Sequence, residues 1–444
     1  MIQGGRLKFT ATGRALRHRN FRLFFLGQLI SVTGTWMQSL AQAWLMLTLV
    51  GKDQAPLYLG LLGAVQFLPV LALGLFGGII ADLWPKRATV IGTQTAAGLL
   101  ALILGGLVYF DVVAVWHVFV LAAALGLVNA VDMPSRQSFV VEMVGGDDIA
   151  NAIALNSAVF NGARIVGPAV GGIMIYAVGT AACFFFNGIS YGAVVIGLLA
   201  MRERDLRPAV RLPMPRTLSA VRANLGEGLG YVRRTPTVLL AITVIGLVST
   251  FGMNFNVVLP ILAASVLNVG PAGAGALYAA MGAGALTAAL FVAMLSRPRL
   301  RILLGGGMVL GASELVLAAT TSYSVAMVAV FAAGVGAIAT AISANSLVQI
   351  TVPGPLRGRV MSVYTTVFAG STPIGNGLTG GVGGLWGMPA ALLMNGAVTL
   401  AAQAIAAAAV MRGGIRVDFN PRRRGADPVE AATPVERAAP DEDA

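Results

Sequence analysis

Runs of roughly twenty apolar residues, each about long enough to cross the hydrocarbon core of a bilayer as a helix, recur between Phe21 and Val410 with short polar breaks between them. The pattern predicts spans at 21–49, 57–81, 88–110, 112–134, 151–178, 180–200, 237–262, 271–295, 302–322, 324–347, 358–385 and 387–411. Only helices and closed barrels satisfy every backbone hydrogen bond in lipid. The runs are dense in Leu, Ala and Gly and lack the short alternating strands of a barrel, so the expected fold is an all-α membrane protein of twelve transmembrane helices.

Composition agrees, with hydrophobic residues at 57% and charged residues at 11%, where a soluble chain carries about 25% charge. The net charge of +12 reads as a topology signal and not as a nucleic-acid footprint, because of where the cations fall. All 30 Lys and Arg lie on the amino-terminal side of the predicted spans except Lys52, opposite, and Arg164, inside a span. Cations are retained on the cytoplasmic side, so both termini are expected inside a bacterial inner membrane. Arg6 to Arg19 before the first run resemble a signal peptide, yet the run continues past the small residues at Ala41 to Ala43, and we read an uncleaved first span. The one cysteine, Cys183, excludes an internal disulfide and sits in an apolar stretch.

The chain repeats itself at an offset of 208 residues. Across 124–172 against 332–380, 12 of 49 positions match, among them Gly126/Gly334, Gly162/Gly370, Gly167/Gly375 and Gly172/Gly380. An even number of spans per repeat gives parallel halves, so the chain divides into a cytoplasmic segment (1–20), a six-helix half (21–200), a cytoplasmic linker (201–236), a second six-helix half (237–411) and a disordered tail (412–444). The linker is basic, and Leu218, Val221, Leu225, Leu229 and Val232 recur at helical spacing, predicting a short helix on the membrane surface. Gly226, Gly228 and Gly230 weaken that helix.

Four strings carry more specific information. The end of span 2 reads Gly77-Gly78-Ile79-Ile80-Ala81-Asp82-Leu83-Trp84-Pro85-Lys86-Arg87. Gly78 allows close helix approach one turn before Asp82, and Lys86 and Arg87 hold the loop inside. Span 5 carries Gly167-Pro168-Ala169-Val170-Gly171-Gly172, where proline removes a helix hydrogen bond and the glycines let backbones touch. Asp132-Met133-Pro134-Ser135-Arg136-Gln137 and Pro355-Leu356-Arg357-Gly358-Arg359 complete the set. Together these resemble the major facilitator superfamily, and within it the branch of the enterobactin exporter and macrolide efflux proteins, over roughly residues 15–411. The resemblance implies a cavity lined by spans 1, 4, 7 and 10, with spans 2, 5, 8 and 11 between the halves. It also implies gating by Asp82 against the start of span 11, where Arg357 and Arg359 stand.

Independently of the resemblance, Gln28, Ser31, Thr35, Gln38 and Gln42 fall at steps of three and four along span 1, one polar stripe on an apolar helix. Asn254, with Thr243 and Thr250, repeats it on span 7. Interhelical hydrogen bonding and a wet substrate cavity both account for such a stripe. Ionisable groups within spans are Asp132, Arg164 and Glu314, and intramembrane charge is a functional hypothesis by default. Glu314 could carry a proton or make a structural hydrogen bond. Asp132 lies about 15 Å in depth from Arg164, too far for an assumed ion pair. Span 1 has no carboxylate, which leaves a coupling proton open. No metal or other cofactor is expected.

These readings converge on a secondary-active exporter of amphipathic small molecules, monomeric, whose partners are its substrate and the lipid bilayer. An importer or lysophospholipid flippase of the same fold is the alternative. A membrane sensor or integral-membrane enzyme is remote, since His18 and His117 are the only histidines and no carboxylate cluster offers a metal site.

Overall fold

The structure, a computed structural model, describes residues 13–207, 218–295 and 300–412, with the side chains of 74–83 and 218–225 excepted. Gly78 and Asp82, most of the tail (413–444) and part of the linker (208–217) therefore lie outside the described residues. Among those described, the chain is helical throughout. Ten helical stretches are long and apolar enough to cross a membrane. The first, Arg19–Leu83, holds two spans joined at Gly51, whose φ of 78° a side chain would oppose. We number them span 1 (19–50) and span 2 (52–83). Spans 3 to 6 follow as Lys86–Tyr109, Val115–Val144, Ile149–Val178 and Thr180–Leu199. Span 7 (236–266) is irregular. Spans 8 to 12 are Gly270–Ala293, Leu300–Ala319, Tyr323–Thr351, Gly354–Trp386 and Met388–Met411. Span 11 is less apolar, rich in Gly, Ser and Thr, and completes the twelve by its place in the order.

The predicted spans thus all form, several of them longer than their apolar runs. Span 4 continues to Val144 as a polar extension on the side where both termini lie, here called the near side. The linker helix forms at Leu218–Arg234 despite its glycines. It docks on the near end of span 11, with Gly228 against the Arg359 backbone and Glu227 paired with Arg359. Apolar side chains such as Ile189, Ile196, Val328 and Ile405 face outward, as a lipid-facing surface requires.

The repeat glycines explain how two six-helix halves meet. In the first half Gly167 lies against Thr33 and Trp36 of span 1, and its counterpart Gly375 lies against Thr250 and Asn254 of span 7. A Cβ on Gly172 would lie 3.1 Å from Gly275 Cα in span 8, and a Cβ on Gly380 2.7 Å from Gly60 Cα in span 2. Spans 5 and 8, and 2 and 11, therefore cross backbone to backbone, as the family resemblance implied. Within the halves Gly126 fits under the Gln66 carbonyl and Gly334 under the Met281 carbonyl. The repeat extends beyond the stretch where the sequence revealed it: Gly179 and Gly387, again 208 apart, turn the chain into spans 6 and 12 with φ of 87° and 83°.

All the close crossings between halves named above lie toward the far side. There the turn after span 1 also meets the turn before span 8, where Lys52 Nζ donates to Asn268 Oδ1 at 3.2 Å, and Leu47, Ala55 and Ala264 form a small apolar cluster. Lys52, the lone far-side cation of the sequence, bridges the halves.

Candidate functional site

A cavity of about 300 Å³ opens between the halves, most of its wall belonging to the first. From the span 1 stripe it receives Ser31, Thr35, Gln38 and Gln42. Carboxamides dominate the rest of the polar wall: Gln66 of span 2, Gln94 of span 3, Asn129 of span 4, Asn187 of span 6, Asn256 of span 7 and Asn376 of span 11. Trp36, Phe67, Phe160 and Tyr191 supply aromatic surface, with Trp36 and Phe160 edge to face at 5.6 Å between centroids. Spans 1 and 4 contribute as expected. Span 7 gives only Asn256 and Val257, span 10 contributes none of the lining residues, and spans 2, 3, 6 and 11 take their place. Val32, off the polar stripe, also borders the cavity.

Two residues read as cavity wall lie elsewhere. Gln28 is buried one turn toward the near side, where its Oε1 accepts from Arg136 at 2.8 Å. Asn254 is buried behind the wall because span 7 breaks there. Two π-turns, Val248–Gly252 and Leu262–Val266, flank a short helix that starts at Phe255. The break turns Asn254 toward span 11, where its Nδ2 donates to Thr379 Oγ1 at 2.9 Å and to the Thr250 carbonyl at 2.6 Å. Such π-turns mark sites where a helix gives up regularity for function.

Asp132 is the centre of the charged wall. It is 2% exposed, and Thr93 Oγ1 and Gln94 Nε2 donate to its Oδ1 at 2.7 and 2.9 Å. Arg136, one turn later, approaches Oδ2 with its Nε at 3.3 Å. Thus the partner of Asp132 is Arg136, and the cavity's net formal charge is zero. Arg136 escaped the sequence reading as a site residue, although its spacing of four from Asp132 was the signal for the pair. Gln38 is held by Asn187 Nδ2 at 2.6 Å, and Thr35 Oγ1 lies 3.3 Å from the Tyr191 hydroxyl. Asn187 and Tyr191 themselves stand one turn apart on span 6, a weaker signal of the same kind.

Arg164 and Glu314 lie outside the cavity. The Arg164 guanidinium sits 5.6 Å from the Trp36 ring centroid, its Nε lacks a hydrogen-bond partner, and no carboxylate pairs with it among the described residues. Glu314 is 1% exposed within the second half, and its Oε2 also lacks a partner among the described residues.

The gating residues divide. Pro168 and Gly171 are buried at the far-side crossing with Gly167 and Gly172, Gly171 against Met37. On the near side, Lys86 pairs with Glu142 of span 4 at 2.9 Å, and Arg87 donates to the Leu198 carbonyl at 2.8 Å and pairs with Glu203. Arg359 pairs with the linker helix, and Arg357 is exposed. Among the described residues, none of these four cations pairs across the halves. A second near-side cluster anchors the amino-terminal segment. Asp148 receives His18 Nε2 and Arg17 at 2.8 Å each and Arg14 at 3.2 Å. Its carboxyl is held below the usual carboxylate range, chiefly by the His18 hydrogen bond and then by the two arginines, against an opposing effect of burial.

Comparison with known proteins fits this geometry. Residues 10–438 match the family described as transmembrane secretion effectors. The chain is 29% identical over 385 residues to the multidrug efflux pump Tap of Mycolicibacterium fortuitum, covering 84% of this chain and 91% of that one. It is 27% identical over 213 residues to YfiS, an uncharacterised transporter of the major facilitator type in Bacillus subtilis, and 25% identical over 176 residues to a staphyloferrin A transporter of Staphylococcus aureus. The chain spans about half the length of these last two, 49% and 44%. Among solved structures, a bacterial homologue of the human lysosomal transporter Spinster, inward-facing and unoccupied, superposes with a TM-score of 0.68 at 12% identity, covering 90% of this chain and 99% of that one. A POT family transporter gives 0.69 at 13%, covering 89% and 96%. These two show the fold.

Proposed function

Because the chain belongs to the transmembrane secretion effectors of the major facilitator superfamily, and is thus a multi-pass membrane transporter, we propose that it exports amphipathic small molecules by alternating access. On this reading the near side is cytoplasmic, in keeping with the positive-inside distribution of Lys and Arg, and the far-side crossings of the glycines make the state an inward-facing one. The observation that carries the reading is the pairing of a carboxamide-lined, net-neutral cavity with a far side sealed by backbone contacts of the repeat glycines. Amides and aromatic faces offer donors, acceptors and apolar surface without committing to one ligand shape. The efflux pump among the relatives points to export, and the staphyloferrin A transporter places siderophores among the compounds to try.

Everted vesicles test it, since their outer face is the cytoplasmic one. Offered a panel of amphipathic dyes and siderophores, with and without a pH gradient, vesicles carrying the protein should accumulate at least one compound that empty vesicles do not. Accumulation only in right-side-out vesicles would make the protein an importer, and none in either orientation would count against the cavity as a substrate site.

A further inference from the structure

Arg164 is a cation at the middle of span 5 that neither the cavity wall nor the far-side seal accounts for. Its guanidinium lies 5.6 Å from the Trp36 ring centroid. Its Nε is enclosed without a hydrogen-bond partner, and among the described residues no carboxylate pairs with it. Spans 1, 6 and 8 pack on span 5 and carry no Asp or Glu. Arg19 and Arg22 of span 1, the only charges in those three spans, lie about 20 Å or more toward the near side. On span 4, Asp132 and Glu142 are taken up by Arg136 and Lys86. The Tyr278 hydroxyl of span 8 is engaged with the Phe255 carbonyl at 3.4 Å. A cation enclosed between membrane helices without a counter-charge is costly, and an aromatic face offsets only part of that cost. An anionic group on the guanidinium removes it.

Arg164 adjoins the cavity wall. Phe160, one turn earlier on the same face of span 5, lines the cavity, and so does Trp36, the ring beside the guanidinium. Helical side chains lean toward the amino terminus of their helix, which carries Arg164 along span 5 toward Phe160 and the near side. The backbone is fixed from the other directions: Gly282 of span 8 lies against Ile165 and the Arg164 carbonyl, and Gly167, three residues on, lies against Trp36. The cation thus stands between the cavity and the far-side crossing of spans 5 and 8. Arg136, the cation within the cavity wall, is already neutralised by Asp132 and has no charge to spare for a ligand.

We propose that Arg164 is an anion-binding subsite at the far end of the cavity, and that the exported compounds are amphiphiles carrying a carboxylate or a comparable anionic group at one end. The proposal rests on the transport reading above and narrows it to a substrate class. The anion takes two parallel N–H donors of the guanidinium. The apolar body lies on Phe160 and Trp36, and the carboxamides of the wall hold its remaining polar groups.

One apolar body with two different ends tests the subsite: pyrenebutyrate and pyrenebutanol, offered at neutral pH to the purified full chain in detergent, with binding read as energy transfer from tryptophan to pyrene. The wild type should bind the carboxylate about tenfold more tightly than the alcohol. Arg164→Gln should bind the two alike, and Arg164→Lys, a point charge without the planar fork, should keep a reduced preference. Equal affinities in the wild type, a preference undiminished in Arg164→Gln, or binding of neither compound would overturn the proposal. Thermal unfolding without ligand gives a second reading. Arg164→Met keeps much of the side chain's length and removes its charge, so it should unfold no earlier than the wild type. A midpoint lowered by several degrees would make Arg164 a structural clamp and overturn the proposal as well. Pyrenebutyrate that binds with the expected preference but does not accumulate in everted vesicles would count against the transport reading and leave the subsite standing.

Discussion

Replacing Arg136 by Met should destabilise the protein far more than replacing Arg136 and Asp132 together. Asp132 is almost fully buried, and Arg136 is its one cationic partner among the described residues, at 3.3 Å and 27% exposed to the cavity. Arg136→Met leaves the carboxylate to Thr93 and Gln94 alone. Breaking a buried ion pair from one side costs 3–5 kcal/mol, and the partial exposure of Arg136 argues for the lower end, about 3 kcal/mol. Asp132→Asn keeps both neutral donors a carbonyl acceptor, so adding it to Arg136→Met should restore most of the loss, with a coupling of about 2 kcal/mol between the two sites. Thermal unfolding of the detergent-solubilised protein should show Arg136→Met lower by roughly 3 °C, with the double variant close to wild type. Equal midpoints for all four proteins would mean that the pair is solvated and that the electrostatic account of the cavity is wrong.

Of four further expectations, three rest on the contacts described above and the last on the family resemblance. Lys52→Ala removes an exposed hydrogen bond between the halves, worth about 0.2–1 kcal/mol, and should raise far-side labelling of a cysteine at Gln38 severalfold without lowering abundance. Gly380→Val places branched carbon against Gly60, so distance measurements between spin labels on the far side should report separated halves. The folded-state Asp148 carboxyl is depressed, so its contribution is present above the unfolded value near 4 and lost as pH falls through the folded value. Hydrogen exchange at Ala15 to His18 should therefore stay slow from neutral pH to about 4 and quicken below it, and Asp148→Asn should be fast throughout. Asp82→Asn should leave the protein inserted at normal abundance and slow transport, and wild-type rates in such a variant would refute its gating role.

The spans, the two halves and the span 1 stripe were legible because each rests on a local period in the chain. The repeat glycines were legible as a pattern, but what each one faces depends on the crossing of distant helices. Gln28 shares the period of the stripe, yet a neighbouring Arg136 decides that it closes a polar cluster instead of lining the cavity. Asn254 lies off the wall because two π-turns rotate the chain where the sequence pattern implies a regular helix. Glu314 is legible in the sequence as an ionisable group inside span 9, and only packing against spans 7, 10 and 12 reveals how deeply it is enclosed. For Asp132 the nearer partner four residues away outweighs Arg164.

The central claim is that this cavity opens alternately to the two sides of the membrane, and that the far-side contacts are one of its closures. In a Cys183→Ala background, Lys52→Cys and Asn268→Cys can be joined by a short bifunctional maleimide across the far-side turn, with a third cysteine at Gln38 as the reporter. The account predicts that cross-linking stops transport while Gln38→Cys still reacts with a membrane-impermeant thiol reagent from the cytoplasmic side and not from outside. Transport at the wild-type rate in the cross-linked protein, or labelling of that position from outside, would contradict it.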